Sequence, residues 1–411
     1  MTTLFSHATV LCMDEAGTVL QDGYVLVRGR EIAYVGPIRP QERADREVNA
    51  TGKVLMPGFV DAHTHLTMSL MRGYGGGHDL QTWLNDYIFP VEAKLDSRAV
   101  RAGTALSLAE AIADGVTSVS DMYYFCDDII AEVVKSGISA NIARGATVFT
   151  EDFFPEAYPA CAETRQLTEK WHNYNDGQIK IDACIHGEYT SNPKLWTWMA
   201  DFARSHGLQM HVHLSETKAE QEGCLQRHGM TPAAVFERYG LWDTPAIAAH
   251  CVWTTPEDWE ILLRHGVTAV HNPASNMKLA SGVARIPEML ALDVPVGLAV
   301  DGSASNDGSS LMEELRVCYL LHRLHASHEA PSGYQVLKMA TRGGAQLLGR
   351  DDIGQLAVGK CADLFLVDSR RLELVGGEYS PADVLATVGL RGAVDYTVVN
   401  GRVVVENGHL S

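Results

Sequence analysis

The sequence predicts an α/β fold: a (β/α)8 barrel with a smaller β-rich domain built from both chain ends. Two patterns predict it. Apolar, β-prone runs recur eight times through the middle of the chain, at 55–62, 116–120, 138–143, 179–185, 208–214, 246–249, 267–270 and 294–300, and helix-like segments such as 99–113, 193–205 and 256–264 lie between them. Continuous apolar runs alternating with helices are the pattern of parallel strands buried on both faces, and eight such units match a closed barrel better than an open sheet. The ends read differently. Thr18-Val-Leu, Gly23-Tyr-Val-Leu-Val and Ile32-Ala-Tyr-Val are short strands bounded by turns. Ala362-Asp-Leu-Phe-Leu-Val and the run from Tyr396 through the Asn400-Gly401 turn to Val405 read as a strand and a hairpin. Two β-rich ends around one long middle pair into a single small domain. The expected division is 1–55 with 355–411 for that domain and 56–354 for the barrel.

Composition bounds the function. The 411 residues are 46% hydrophobic and 20% charged, which is ordinary for a globular chain. Lys and Arg number 33 against 51 Asp and Glu, a net charge of −18. An acidic chain without a basic cluster is a poor partner for nucleic acid or an anionic membrane. No run of 18 apolar residues exists, and the start Met1-Thr-Thr-Leu-Phe-Ser-His-Ala has no basic region before an apolar core. The eight cysteines are scattered, with no CxxC pair. Reduced thiols and a cytoplasmic location are expected.

Polar residues gather where the apolar strands end. His63 and His65 close the first strand, and a spacing of two puts both imidazoles on one face. His211, His213 and Glu216 close the fifth, His250 the sixth, His271 the seventh and Asp301 the eighth. HxH alone is a weak signal, and a single His after a strand is ordinarily a hydrogen-bonded structural residue. Histidines and an aspartate at separate strand ends, in barrel order, are a different matter, because those ends converge on one mouth. Three imidazoles and a carboxylate suit Zn²⁺ with a water completing the shell. His213 lies nearer the strand end than His211, so His213 is the expected ligand and His211 is expected to pack deeper. Where a second metal's bridging Lys often stands, at the end of the fourth strand, this chain has His186, with Lys180 six positions earlier. A mononuclear site follows.

These motifs resemble the amidohydrolase superfamily, in its hydrolytic deaminase branch. Pro57-Gly-Phe-Val-Asp-Ala-His-Thr-His, His211-Val-His-Leu-Ser-Glu, Ala249-His-Cys, His271-Asn-Pro-Ala-Ser-Asn-Met-Lys-Leu-Ala, Asp301-Gly-Ser-Ala-Ser-Asn and Gly359-Lys-Cys-Ala-Asp-Leu carry the likeness in order. Met71-Arg-Gly, Trp83-Leu, Pro90-Val-Glu92 and Asn276-Met-Lys-Leu-Ala-Ser-Gly are similar to its 5'-methylthioadenosine/S-adenosylhomocysteine deaminase group. His186-Gly-Glu-Tyr-Thr departs from the commoner His-Ala-Pro-Tyr-Thr. The resemblance implies a distorted (β/α)8 TIM barrel with a β-sandwich from both termini. It implies one metal ion per subunit, Zn²⁺ with Fe²⁺ or Mn²⁺ as substitutes, on His63, His65, His213 and Asp301, with His250 beside the metal's water. Glu216 matches the proton-shuttling glutamate, and Glu92, Arg144 and His186 match nucleoside-contacting positions.

The implied reaction is hydrolysis of an amino-purine nucleoside to its inosine analogue plus ammonia. The candidates are S-adenosylhomocysteine, 5'-methylthioadenosine, adenosine and 5'-deoxyadenosine. Zn²⁺ can lower the pKa of its water to ~7. Asp301 and His250 would orient the nucleophile, and Glu216 would protonate the ring and then the departing ammonia. Two alternatives stay open: a hydrolase of the same fold acting on a free base, pterin or chloro-triazine, and a non-catalytic binding protein. Glu92 favours the nucleoside, since a carboxylate suits a ribose diol; its rival partners are Lys94 and Arg98. A homo-oligomer is expected, with Trp83, Tyr87 and Phe89 as packing or subunit contacts. The glycine-rich stretch 73–77 lacks GxGxxG spacing and reads as a loop over the mouth.

Overall fold

The computed structural model describes residues 1–326 and 330–411. It divides into two compact units, 1–61 with 108–118 and 310–411, and 62–107 with 119–309.

The barrel strands are β1 (Phe59–Thr64), β2 (Val116–Tyr123), β3 (Ser139–Arg144), β4 (Ile179–Cys184), β5 (Met210–Leu214), β6 (Ala246–His250), β7 (Thr268–His271) and β8 (Val296–Leu298). They form one sheet in sequence order. Past the end of β8, a parallel bridge between Thr64 and Asp301 draws the edges together, and the Asp301 amide donates to the His63 carbonyl at 3.1 Å. The eight expected strands are present. Every residue of β1, β2, β5, β6, β7 and β8 is buried, as parallel strands covered on both faces require. The connecting helices start and stop on local signals. In Pro256–His265, Thr255 and Asp258 form a capping box, Pro256 opens the helix and Gly266 ends it at φ 66°. Asn192 and Gly207 bracket Pro193–His206 in the same way.

One expected strand is two. The run 55–62 breaks at Gly58 into Lys53–Pro57, which belongs to the other sheet, and β1. A Cβ on Gly58 would lie 2.2 Å from the Thr117 hydroxyl, so only glycine allows this close approach.

The chain ends join in a nine-stranded mixed sheet. The link is Leu364–Asp368, which pairs antiparallel with Lys53–Pro57. Val25, Val27, Ile32, Leu364, Leu366 and Val398 meet in one buried cluster, so side chains from both halves of the sheet share a core. The Asn400-Gly401 hairpin has φ 50° and 76°, the two positive angles a type I′ turn needs. The long first strand, Thr2–Leu11, has no clean alternation in sequence because a bulge at His7, φ 61°, interrupts its register.

All eight cysteines are buried and unpaired. No helix among the described residues is long and apolar enough to cross a membrane.

Candidate active site

The strand ends bring five side chains together. His63 comes from β1 and His65 from just past it, His213 from β5, His250 from the end of β6, and Asp301 from just past β8. Asp301 Oδ1 lies 3.4 Å from His63 Nε2 and 3.2 Å from His65 Nε2. The rings of His63 and His213 are 4.9 Å apart, and those of His213 and His250 5.4 Å. His271, at the end of β7, lies outside this group.

Each imidazole turns one nitrogen outward to a partner. His65 Nδ1 meets the Met122 carbonyl at 2.5 Å, His213 Nδ1 the His186 carbonyl at 2.7 Å, and His250 Nδ1 the Asn276 side-chain oxygen at 2.8 Å. Asp301 is held similarly. Its Oδ2 accepts from Ser275 at 2.6 Å and Ser305 at 2.9 Å, while Oδ1 stays without a partner. His63 Nε2 is also buried and makes no hydrogen bond, with Asp301 Oδ1 3.4 Å away. Both atoms can offer a lone pair and both face a ring of imidazoles, which fits a divalent cation held by His63, His65, His213 and Asp301. His250 and Asp301 both adopt left-handed backbone, at φ 74° and 64°, a conformation non-glycine residues adopt mainly where the surroundings enforce it.

Without an ion the electrostatics divide the set, two imidazoles staying neutral while His65 pairs with Asp301. Burial pushes His63 down to about 4 and His213 well below its ordinary value, which keeps both rings neutral. Burial opposes charge on His65 as well, but Asp301 and the Met122 carbonyl outweigh it and raise the group to about 9. Burial likewise opposes the Asp301 carboxylate, yet His63 and His65 hold it well below the usual range.

A cavity opens over this cluster, lined by His65, His213, His250 and Asp301 together with apolar side chains such as Trp83, Leu84 and Phe89. Glu216, just past β5, is on its wall. Its Oε1 accepts from Ser281 at 3.2 Å, and its Oε2 lies 3.6 Å from His250 Nε2. Burial raises the Glu216 carboxyl and outweighs the pull of His250, so it holds a proton more readily than a surface glutamate. Glu92 lines the same cavity, its carboxyl raised by burial, rather than pairing with Lys94 or Arg98. His186 lines it too, with Nδ1 3.1 Å from the Thr190 hydroxyl.

Arg144 is placed elsewhere. At the end of β3 it bonds Glu163 and the Gly145 carbonyl and lies 4.8 Å over the Tyr124 ring. It lines a second, more open hollow that shares Phe89, Glu92 and Tyr124 with the cavity. The competing partner, Glu163, sits on the helix Pro159–Trp171, whose approach to β3 no local motif announces. Trp83 and Phe89, expected as packing, are cavity walls, whereas Tyr87 stacks on His78 at 4.6 Å. In the 73–77 stretch, Gly75 is required: its φ is 70°, and a Cβ would strike Tyr87 and Trp83 at 2.9–3.0 Å.

Sequence reasoning assigned no role to Ser275, Asn276, Ser281, Ser305 or Glu220. The signal was there in part. The first four stand in the polar stretches after His271 and Asp301, and Glu220 repeats Glu216 one helical turn later.

A profile of the amidohydrolase family matches residues 54–404. The chain is 35% identical over 409 residues to a 5-methylthioadenosine/S-adenosylhomocysteine deaminase of Thermoanaerobacter pseudethanolicus, covering 99% of this chain and 94% of the relative. It is also 35% identical over 391 residues to a 5'-deoxyadenosine deaminase of Methanobrevibacter smithii, covering 95% and 89%. Among solved structures, an adenosine deaminase from Xanthomonas campestris with bound zinc superposes with a TM-score of 0.94 at 30% identity, covering 100% of this chain and 94% of that one. Matched along nearly its whole length in sequence and fold, the chain belongs to the amidohydrolase family.

Proposed function

We propose that the protein is a hydrolytic deaminase that converts an adenosine-type nucleoside to the inosine analogue and ammonia. The observation that carries this is the pairing of Glu216 and His250 on the wall of a cavity that also holds the four-donor cluster and Glu92. Relatives acting on 5-methylthioadenosine, S-adenosylhomocysteine and 5'-deoxyadenosine support the substrate class.

His63, His65, His213 and Asp301 would hold the metal, for which zinc is the first candidate. When bound, such an ion supplies Lewis acidity and makes water nucleophilic at neutral pH. His250 would accept the water's proton at Nε2, with Nδ1 donating to the Asn276 oxygen at 2.8 Å, nearer than the Asn272 amide nitrogen at 3.3 Å. Glu216, whose proton burial helps to hold, would donate to the purine ring nitrogen beside the attacked carbon and later carry a proton to the leaving amine. Glu92 would accept hydrogen bonds from the ribose diol, with His186 and Trp83 closing the walls. The 5' substituent would then lead toward the second hollow. Arg144 would meet it there only by exchanging its bond to Glu163.

Turnover in ¹⁸O-water tests this. Incubating zinc-loaded protein with 5'-deoxyadenosine should yield one ammonia and one 5'-deoxyinosine carrying a single ¹⁸O at C6. Ammonia without the labelled product, or cleavage of the glycosidic bond, would overturn it.

A further inference from the structure

His211 was expected only to pack beneath the site. It does more. Three of the four site imidazoles direct their outer nitrogen to an oxygen: His65 to Met122, His213 to His186 and His250 to Asn276. An oxygen without a proton can only accept, so the Met122 and His186 carbonyls fix their histidines' tautomers by themselves, while at His250 Nδ1 the Asn276 oxygen at 2.8 Å is nearer than the Asn272 amide nitrogen at 3.3 Å. His63 is the exception. Its Nδ1 meets another side-chain imidazole, His211 Nε2, at 2.8 Å. An imidazole nitrogen can donate or accept, so this contact fixes His63 only if the proton on His211 is itself placed. The next group along is the Ser120 hydroxyl, 3.4 Å from His211 Nδ1, which can accept that ring's proton and leave His211 Nε2 free to accept from His63. All three side chains are buried, His63 and His211 without measurable exposure, so no solvent molecule substitutes for a missing partner.

We propose that His211 is a positioning residue for the metal centre, working with Ser120 in a buried hydrogen-bonded chain that sets the tautomer of His63. The proposal rests on the metal-site assignment above. The chain runs in two directions. In one, Ser120 accepts from His211 Nδ1–H, and His211 Nε2 accepts from His63 Nδ1–H. His63 Nε2 then presents a lone pair to the ion. In the other, His211 Nε2–H donates to His63 Nδ1, and His63 Nε2 carries a proton toward Asp301 Oδ1, 3.4 Å away, which blocks the metal position. The first direction is the metal-competent one. A purely packing role would need only the ring's volume.

Zinc affinity by chelator competition separates the two roles. Outer partners of metal-bound histidines are worth about 10–100-fold in affinity, so His211→Leu should weaken zinc by about that factor, while His211→Gln, whose amide oxygen can accept from His63, should stay within about threefold of wild type. A Leu variant that binds zinc as tightly as wild type, or a Gln variant as weak as Leu, overturns the proposal. Should the Leu variant fail to fold, ¹⁵N-histidine spectra of the zinc-loaded wild type decide. His211 protonated on Nδ1 supports the chain, and His211 protonated on Nε2 overturns it. Wild-type protein that takes up no zinc overturns the metal assignment itself, whereas the other failures overturn the role of His211 alone.

Discussion

Both oxygens of Glu220 accept backbone amides at the end of β5, one from Ser215 at 2.9 Å and the other from Glu216 at 2.8 Å. One buried carboxylate thus clamps the turn that aims Glu216 into the cavity. Ser215 has φ 48°, so the turn is an unusual one for a side-chain-bearing residue and depends on such support. Glu220→Ala should therefore lower kcat by about 10–100-fold through misplacement of Glu216, with little effect on KM, since small displacements of a reacting group carry penalties of this size. Steady-state kinetics on folded variant checks it; an unchanged kcat contradicts it.

The four proposed ligands should behave as a set. Purified protein should carry about one divalent ion per chain, and removing any of His63, His65, His213 or Asp301 should lower metal content and abolish turnover. Elemental analysis is the measurement. Two ions per chain would contradict the mononuclear assignment.

Glu216 and His250 should separate from the ligands. A positioned acid–base group contributes ~10²–10⁴-fold, so Glu216→Gln should lower kcat by about that factor with metal retained. His250→Asn should also lower kcat and keep most of its metal. Loss of the ion in that variant would make His250 a ligand.

Much of this was legible in the chain because strand-end chemistry is local. His63, His65, His213, His250 and Asp301 each follow an apolar run, and a barrel gathers such positions whatever the helices do. What was not legible depends on partners distant in sequence. Arg144, expected as a substrate contact, is bonded in this structure to Glu163 on the helix that follows. His211 and His63 are 148 positions apart, so their bond exists only once β1 and β5 face each other. The break at Gly58 likewise depends on Thr117, and the bulge at His7 hid a ten-residue strand.

Asp182 on β4 gives the fold a pH signature. Burial raises its carboxyl to about 7, with the Asn141 amide, 3.1 Å from both oxygens, pulling the other way. The folded state then holds this proton more tightly than the unfolded chain does. Its contribution to stability is full below the unfolded value near 4 and is lost as pH rises through about 7. Asp182→Asn removes the titration. The Tm of the variant relative to wild type should rise between pH 5 and pH 8; a constant difference contradicts the shift.

The nucleoside assignment meets its most direct test in one comparison: ammonia release by zinc-loaded wild type and Glu92→Ala, each given 5'-deoxyadenosine and free adenine. Hydrogen bonds to a charged group are worth roughly 1.5–3 kcal/mol each, so loss of the Glu92 carboxylate should cut kcat/KM for the nucleoside by about 10–100-fold. Any slow turnover of adenine, which has no diol, should be unchanged. Equal losses on both compounds, or a wild-type enzyme that prefers a free base, a pterin or a chloro-triazine, would contradict it.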